Sequence, residues 1–304
     1  MKKKIVLGLA CLSMSMQAFA DYCGYDCRTN CFGFDSVLTF DMGGGYRSDN
    51  LSWKRYPTAT SEISEKWKNI GMGIAETNAS FLACEHYLAK ADFDCGWFSN
   101  SEKQRYEIYN SGVLTEELKS CTKGQVYNIS GGLGYQFNFR RCRISLAPLV
   151  GYSYNYQKYK NNEYVNQLTT TITSTYPNNR YKYRWSGPWV GFATSYQPYC
   201  DISLFFDYEF HWMTLHSNID EHFTAGQLPA HINSTNCYGN EFTTGADYVF
   251  CDGWFLRLKF DYKQFFANHP RYHVEGPEES FTNSHIHNFT WNSYNITLDI
   301  GYNF

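Results

Sequence analysis

Past its first sixteen residues the chain has no apolar run near the roughly 18 residues a membrane helix needs, so no helix carries it across a bilayer. It has no surplus of basic charge either. The 26 Lys and Arg stand against 29 Asp and Glu, which excludes nucleic acid as a partner, since that ligand wants a basic face. There is no glycine-rich phosphate loop, no Ser-His-Asp arrangement and no C-x-x-C pair. Nothing is left to hold a nucleotide or run dithiol chemistry, and no cofactor is expected. Mean hydropathy is low, at −0.48. Against these shortages stands one excess: 26 Tyr, 23 Phe and 8 Trp make the chain 19% aromatic. Aromatic richness with polar average character fits strands of which only alternate residues meet lipid, girdled by aromatics at both interfaces.

The first residues read as an export leader. Lys2, Lys3 and Lys4 form a charged head, Ile5 to Met16 is mostly apolar, and Ala18-Phe19-Ala20 has the small-x-small cleavage pattern. The expected division is a leader over 1–20, a cysteine-rich tail over 21–34 and a barrel over 35–304. Cleavage after Ala20 removes three lysines and takes the formal net charge from −3 to −6.

The strongest pattern closes the chain. In Trp291–Phe304, Ile296, Leu298, Ile300 and Tyr302 alternate with Thr297, Asp299, Gly301 and Asn303. Period-two alternation sends one set to each face of a strand. Nine further segments repeat it, near 36–47, 66–81, 86–97, 126–139, 144–156, 181–196, 202–212, 241–250 and 254–262. The expectation is an all-β, transmembrane, antiparallel up-and-down barrel of about ten strands, with eight or twelve as neighbouring counts. Short periplasmic turns would alternate with long polar outer loops, among them 98–124, 158–180, 217–240 and 268–288. A strand closing on Tyr302 and Phe304 has the form of the signal read by the barrel-assembly machinery.

The inward set carries Lys90, Asp92, Asp94, Asp207, Glu209, His211, Asp247, Arg257, Lys259, Asp261, Lys263 and Asp299. A bore of about ten strands is narrow, since eight are just filled by side chains and porins need sixteen or more. Opposite charges at this density pair across strands and fill the lumen, and a small selective pore lined by the same groups is the alternative.

A family resemblance rests on Gly44-Gly45-Tyr46-Arg47-Ser48-Asp49-Asn50-Leu51, on Trp67-Lys68-Asn69, and on Tyr87-Leu88 with Asp92. It extends through Ala147-Pro148-Leu149-Val150-Gly151-Tyr152-Ser153-Tyr154 and Trp185-Ser186-Gly187-Pro188-Trp189-Val190-Gly191. These runs resemble the outer-membrane proteins of protochlamydia-like Chlamydiae, whose barrel is similar to that of the ten-stranded omptin proteases. The likeness implies an outer-membrane location, with outer-membrane lipid and lipopolysaccharide as surroundings. It also raises an omptin-like endopeptidase, in which Asp220-Glu221-His222 would supply the Asp-x-His pair, Asp220 orienting His222 as general base. The partner aspartates of an omptin do not follow, since the corresponding outer positions hold Arg105 and Glu107. His285 and His287, with His269 or His273, could together hold a metal, but a polar outer loop that carries several histidines is the commoner explanation, and no metal site is assigned.

Ten cysteines remain once Cys11 leaves with the leader. Cys84, Cys142, Cys200 and Cys251 fall one in each expected inner turn, and Cys23, Cys27 and Cys31 lie on the tail. Seven thiols would meet at the periplasmic mouth, in a compartment where disulfides persist. The family resemblance implies a stiffened, cross-linked envelope with other cysteine-rich envelope proteins as partners. The function expected is a structural, surface-facing barrel.

Overall fold

A computed structural model describes residues 36–304 apart from 59, 85, 140–142, 167–171, 174–178, 200, 225, 252 and 275–283. The leader and tail with Cys23, Cys27 and Cys31 lie outside the described residues, as do Cys142 and Cys200. The side chains of Cys251, His222 and His285 lie outside them as well.

The strands in chain order are β1 (Ser36–Thr58), β2 (Ser61–Ala83), β3 (Tyr87–Asn110), β4 (Val113–Tyr135), β5 (Phe137–Phe139), β6 (Ile144–Asn166) and β7 (Ile172–Thr173). They continue as β8 (Arg180–Tyr196), β9 (Ile202–Thr224), β10 (Gly226–Cys251), β11 (Trp254–Ala267), β12 (Arg271–Val274) and β13 (Ser284–Asn303). Ten of these, omitting the short β5, β7 and β12, follow one another around a single antiparallel sheet. The last, β13, returns to β1 from Thr39↔Asn303 to Arg55↔Ile286. The result is a closed ten-stranded barrel, and closure leaves no strand edge unpaired. Its inner rim carries the start of β1, the end of β13 and the connections after β2, β5, β8 and β10.

Two-sidedness is what the alternation was built for. On the outward face a belt of apolar side chains runs from Tyr294 along β13 to Phe304 just past its end, from Leu38 to Tyr46 on β1 and from Tyr87 to Trp97 on β3. Leu298 and Leu133 in this belt are 59% and 66% exposed. Its height of about ten residues is that of a tilted membrane strand.

The outer loops expected over 98–124 and 217–240 are strand instead. β3 and β4 run on to a two-residue turn, Ser111-Gly112, and β9 and β10 are separated by residue 225 alone. Ser111 and Gly112 both have positive φ, 50° and 78°, which is the backbone of the tight hairpin turn that matches strand twist and favours glycine. A strand of 23 residues at about 3.3 Å per residue reaches roughly 75 Å, more than twice the ~30 Å hydrocarbon layer even after allowing for part of that length in tilt. The wall therefore projects well beyond the bilayer on its outer side.

Beyond the belt the sense of the alternation reverses. On β9 the outward residues pass from Phe206, Tyr208, Phe210 and Trp212 to Thr214, His216 and Asn218, while the inward ones become Met213, Leu215, Ser217 and Ile219. β-Bulges help re-aim the inward set. The register of β2 on β3 shifts between Trp67 and Gly73, Asn69 takes φ 52°, and its N–H donates to Asn50 Oδ1 at 2.7 Å. Trp67 and Ile70, three apart, consequently both point into the bore. Cys237, expected in an outer loop, is buried in this upper layer for the same reason.

Candidate functional site

The bore has two storeys. The lower one, level with the lipid belt, is ionic. Arg257 lays Nε and Nη2 on Asp247 at 2.7 and 2.9 Å and Nη1 on Asp41 at 2.6 Å. Arg47 grips Asp49 at 2.8 and 3.2 Å and reaches Asp94 at 3.0 Å, which also accepts from Asn128. Lys259 pairs with Glu76 at 2.8 Å, Lys263 with Glu241 at 2.8 Å, and Lys90 with Asp207. Bidentate, charge-assisted contacts of this kind fix geometry as well as energy. Asp299 is buried opposite Arg257 in the register of β13 on β11. Most of these groups, though not Arg47, Asp49 or Asp299, line a cavity of about 310 Å³ that runs down to Ser145, Ser195 and Ser203, each one residue from a strand end at the inner rim.

The upper storey is predominantly aromatic and aliphatic. Trp67, Trp185, Trp291, Phe265, Phe289, Tyr159, Tyr181 and Tyr183 are fully buried there. Phe265 meets Trp291 edge-on at 5.0 Å, Trp185 stacks on Trp291 at 6.3 Å, and Trp67 meets Tyr181 at 5.0 Å. Arg47 joins the storeys, with its guanidinium carbon 5.5 Å from the centre of the Trp291 ring. The polar filling expected throughout thus holds for the lower storey only. Above it the bore is closed by a hydrophobic core of the kind a soluble barrel has. The twelve lumen residues named from the sequence all face the lower storey. Asp41, Arg47, Asp49, Glu76 and Glu241 join them, and only the apolar residues alternating around them marked these five as inward.

A closed ten-stranded barrel with this sidedness is the setting for the comparisons. The family model of the Protochlamydia outer membrane protein matches residues 41–304. The chain belongs to that family. Among curated proteins none matches. Among solved structures it is similar to the outer membrane protease OmpT from Escherichia coli, with TM-score 0.68, 13% identity, and 90% of this chain and 98% of that one covered. At that identity the likeness shows the fold alone. A Pseudomonas aeruginosa FadL homologue (10% identity, TM-score 0.32, 88% of this chain, 90% of that one) and a major outer membrane protein from Thermus thermophilus (12%, 0.35, 89% and 100%) are more distant.

In this member of the Protochlamydia family, Asp220 lies within β9, not past its end, where it registers with Arg180 on β8 and Pro229 on β10. The inward residues of this stretch are Ser217 and Ile219, so Asp220 stands on the outer wall, turned away from the bore. Arg105 and Glu107 form an ion cluster with Lys66 and Glu117, at 2.9 Å for Lys66–Glu107 and 2.7 Å for Arg105–Glu117. His269 and His287 do meet, ring to ring at 5.6 Å.

The outer wall just past the aromatic belt carries a feature the sequence hid. Lys123, Lys160 and Arg180 are direct cross-strand neighbours, Lys158 opposes Lys182, and Arg184 opposes Tyr156. All six basic residues face outward, because the inward positions of β6 and β8 there are Tyr159, Tyr181, Tyr183 and Trp185. At the chain's end Phe304 donates its N–H to Leu38 O at 2.8 Å, and its ring meets Tyr302 at 4.7 Å.

Proposed function

We propose that this outer-membrane barrel is a closed structural element of the cell surface, with no transport path through it. The observation that carries this is the aromatic upper storey, which closes the bore above the charged cavity. A closed layer of fully buried tryptophan and tyrosine rings leaves permeating ions no open path. The projecting wall, polar outside and apolar within, suits a surface-displayed element.

The basic patch supports lipopolysaccharide as its neighbour. Like charges directly opposite one another across strands destabilise a sheet, and Lys123–Lys160–Arg180 with Lys158–Lys182 sets five together one step beyond the membrane belt. Anionic glycolipid headgroups at that height offset the repulsion. At the inner rim, Cys84 lies in the connection after β2 and Cys251 is the last residue of β10, and disulfides there to cysteine-rich envelope proteins are part of the same proposal, as is export with cleavage after Ala20. The Asp220–His222 peptidase reading gains nothing from an aspartate on the outer wall.

The test is conductance in planar bilayers. Folded wild-type protein should give no channel steps, whereas a Trp185→Ala/Phe265→Ala/Trp291→Ala variant should open them. Steps from the wild type that vanish on blocking the bore would overturn the closed-wall reading. Non-reducing electrophoresis of intact envelopes tests the cross-links, with high-mass bands expected to collapse on reduction.

A further inference from the structure

Midway up the bore, at the boundary between storeys, three side chains converge of which, among the described residues, only Glu241, held by Lys263, has a lysine or arginine ion-pair partner. Glu209 and Glu241 are direct register partners on β9 and β10, both facing inward, an arrangement that costs stability when both carry charge. Between them stands His211, fully buried, with Nε2 3.2 Å from Glu209 Oε2 and 3.6 Å from Glu241 Oε2. Neither contact is aligned as a hydrogen bond, and both His211 Nε2 and Glu209 Oε2 are buried without a hydrogen-bond partner. Buried polar atoms seldom stay unmatched.

We propose that Glu209, His211 and Glu241 form a binding site for one divalent transition-metal ion, with zinc as its representative. The geometry favours it. Ligand bonds of about 2.0–2.2 Å at tetrahedral angles place donor atoms roughly 3.3 Å apart, which the 3.2 and 3.6 Å separations match. All three donor atoms lie within 4.8 Å of one another. An imidazole with two carboxylates is a borderline donor set of the kind zinc accepts, with a fourth position for water.

The surroundings are arranged as those of a metal ligand usually are. His211 Nδ1 is 3.1 Å from Ser153 Oγ, and donation of its proton there leaves the Nε2 lone pair turned toward the carboxylates. Lys263 holds the other oxygen of Glu241, Oε1, at 2.8 Å, so Oε2 is directed at His211. Trp189 and Phe265 flank the imidazole at 6.2 and 5.3 Å, and Gly132 and Gly151 leave the room that the Trp189 indole fills, since a Cβ at either would fall against it. The cavity below supplies the field. Nine carboxylates line it against four basic side chains, so an added dication reduces a net negative charge and turns the Glu209–Glu241 repulsion into a clamp between β9 and β10. This site does not depend on whether the bore conducts.

Calorimetric titration of the folded, detergent-solubilised protein with zinc chloride tests it, heat-modifiable gel mobility reporting the fold of each variant. One saturable site per chain is expected. Affinity should fall at least tenfold in His211→Gln and in Glu241→Gln, and stay unchanged in His269→Ala/His287→Ala. If the His211 variant does not fold, zinc-edge X-ray absorption of the wild type decides, with one imidazole among oxygen ligands expected. No saturable zinc, affinity undiminished in folded His211→Gln, or a spectrum with two imidazoles would each overturn the proposal.

Discussion

The two storeys of this barrel are built from the same strands under opposite rules. In the lower one β9 turns Phe206, Tyr208 and Phe210 outward to lipid and Asp207, Glu209 and His211 inward. A few residues on, it turns His216 and Asn218 outward and Leu215 and Ile219 inward. The pleat is continuous; what changes is the solvent on each side. Where lipid surrounds the wall, burial of apolar surface is provided outside, and the inside is held by ion pairs around a narrow polar cavity. Where water surrounds it, the hydrophobic effect moves inside and packs the bore. A barrel long enough to leave the membrane thus becomes, beyond it, a soluble barrel closed by its own core.

Substitutions can set the storeys against each other. The largest loss is expected for Trp185→Ala in the upper storey, where removal of a fully buried indole leaves a cavity in a packed core, about 3–5 kcal/mol, read by urea unfolding in detergent. Leu298→Arg in the lower storey puts a cation on lipid and should cost roughly 2–4 kcal/mol near the midplane, seen as less heat-modifiable protein in the outer membrane. Arg257→Gln removes charge-assisted contacts to Asp247 and Asp41 but leaves them beside a polar cavity, so about 1.5–3 kcal/mol is expected. That loss should shrink at high salt, while the Trp185 loss should not. The smallest effect is Asn218→Arg. The same new cation, now on the outer wall of the upper storey, should stay within about 0.5 kcal/mol of wild type. If Asn218→Arg were as harmful as Leu298→Arg, the reversal of sidedness would be wrong.

Much of the lower storey was legible, because lipid outside and charge inside give an alternation that single residues display. Leu256, Leu258 and Phe260 against Arg257, Lys259 and Asp261 need no tertiary information to be assigned faces. The upper storey has the composition of loops, because its inward set mixes Tyr159, Tyr181 and Ser217 with Trp185 and Ile219, and its outward set is Thr, Asn, His and Lys. The signal that could have found it is a phase shift: on β9 the apolar series leaves the even positions at Trp212 and takes up the odd ones at Met213.

Local alternation was enough to show that this chain crosses a membrane with about ten strands, which face of each meets lipid, and which charges line the bore beside it. The period of a strand is local, so one chain segment suffices to show it. The folded barrel was needed to show that the strands run on past the bilayer, that an aromatic core closes the bore, and that Glu241 stands opposite Glu209 beside His211. These are matters of register between segments up to hundreds of residues apart. Register comes from closing the sheet, through its bulges and through β13 returning to β1, and no single strand carries that information.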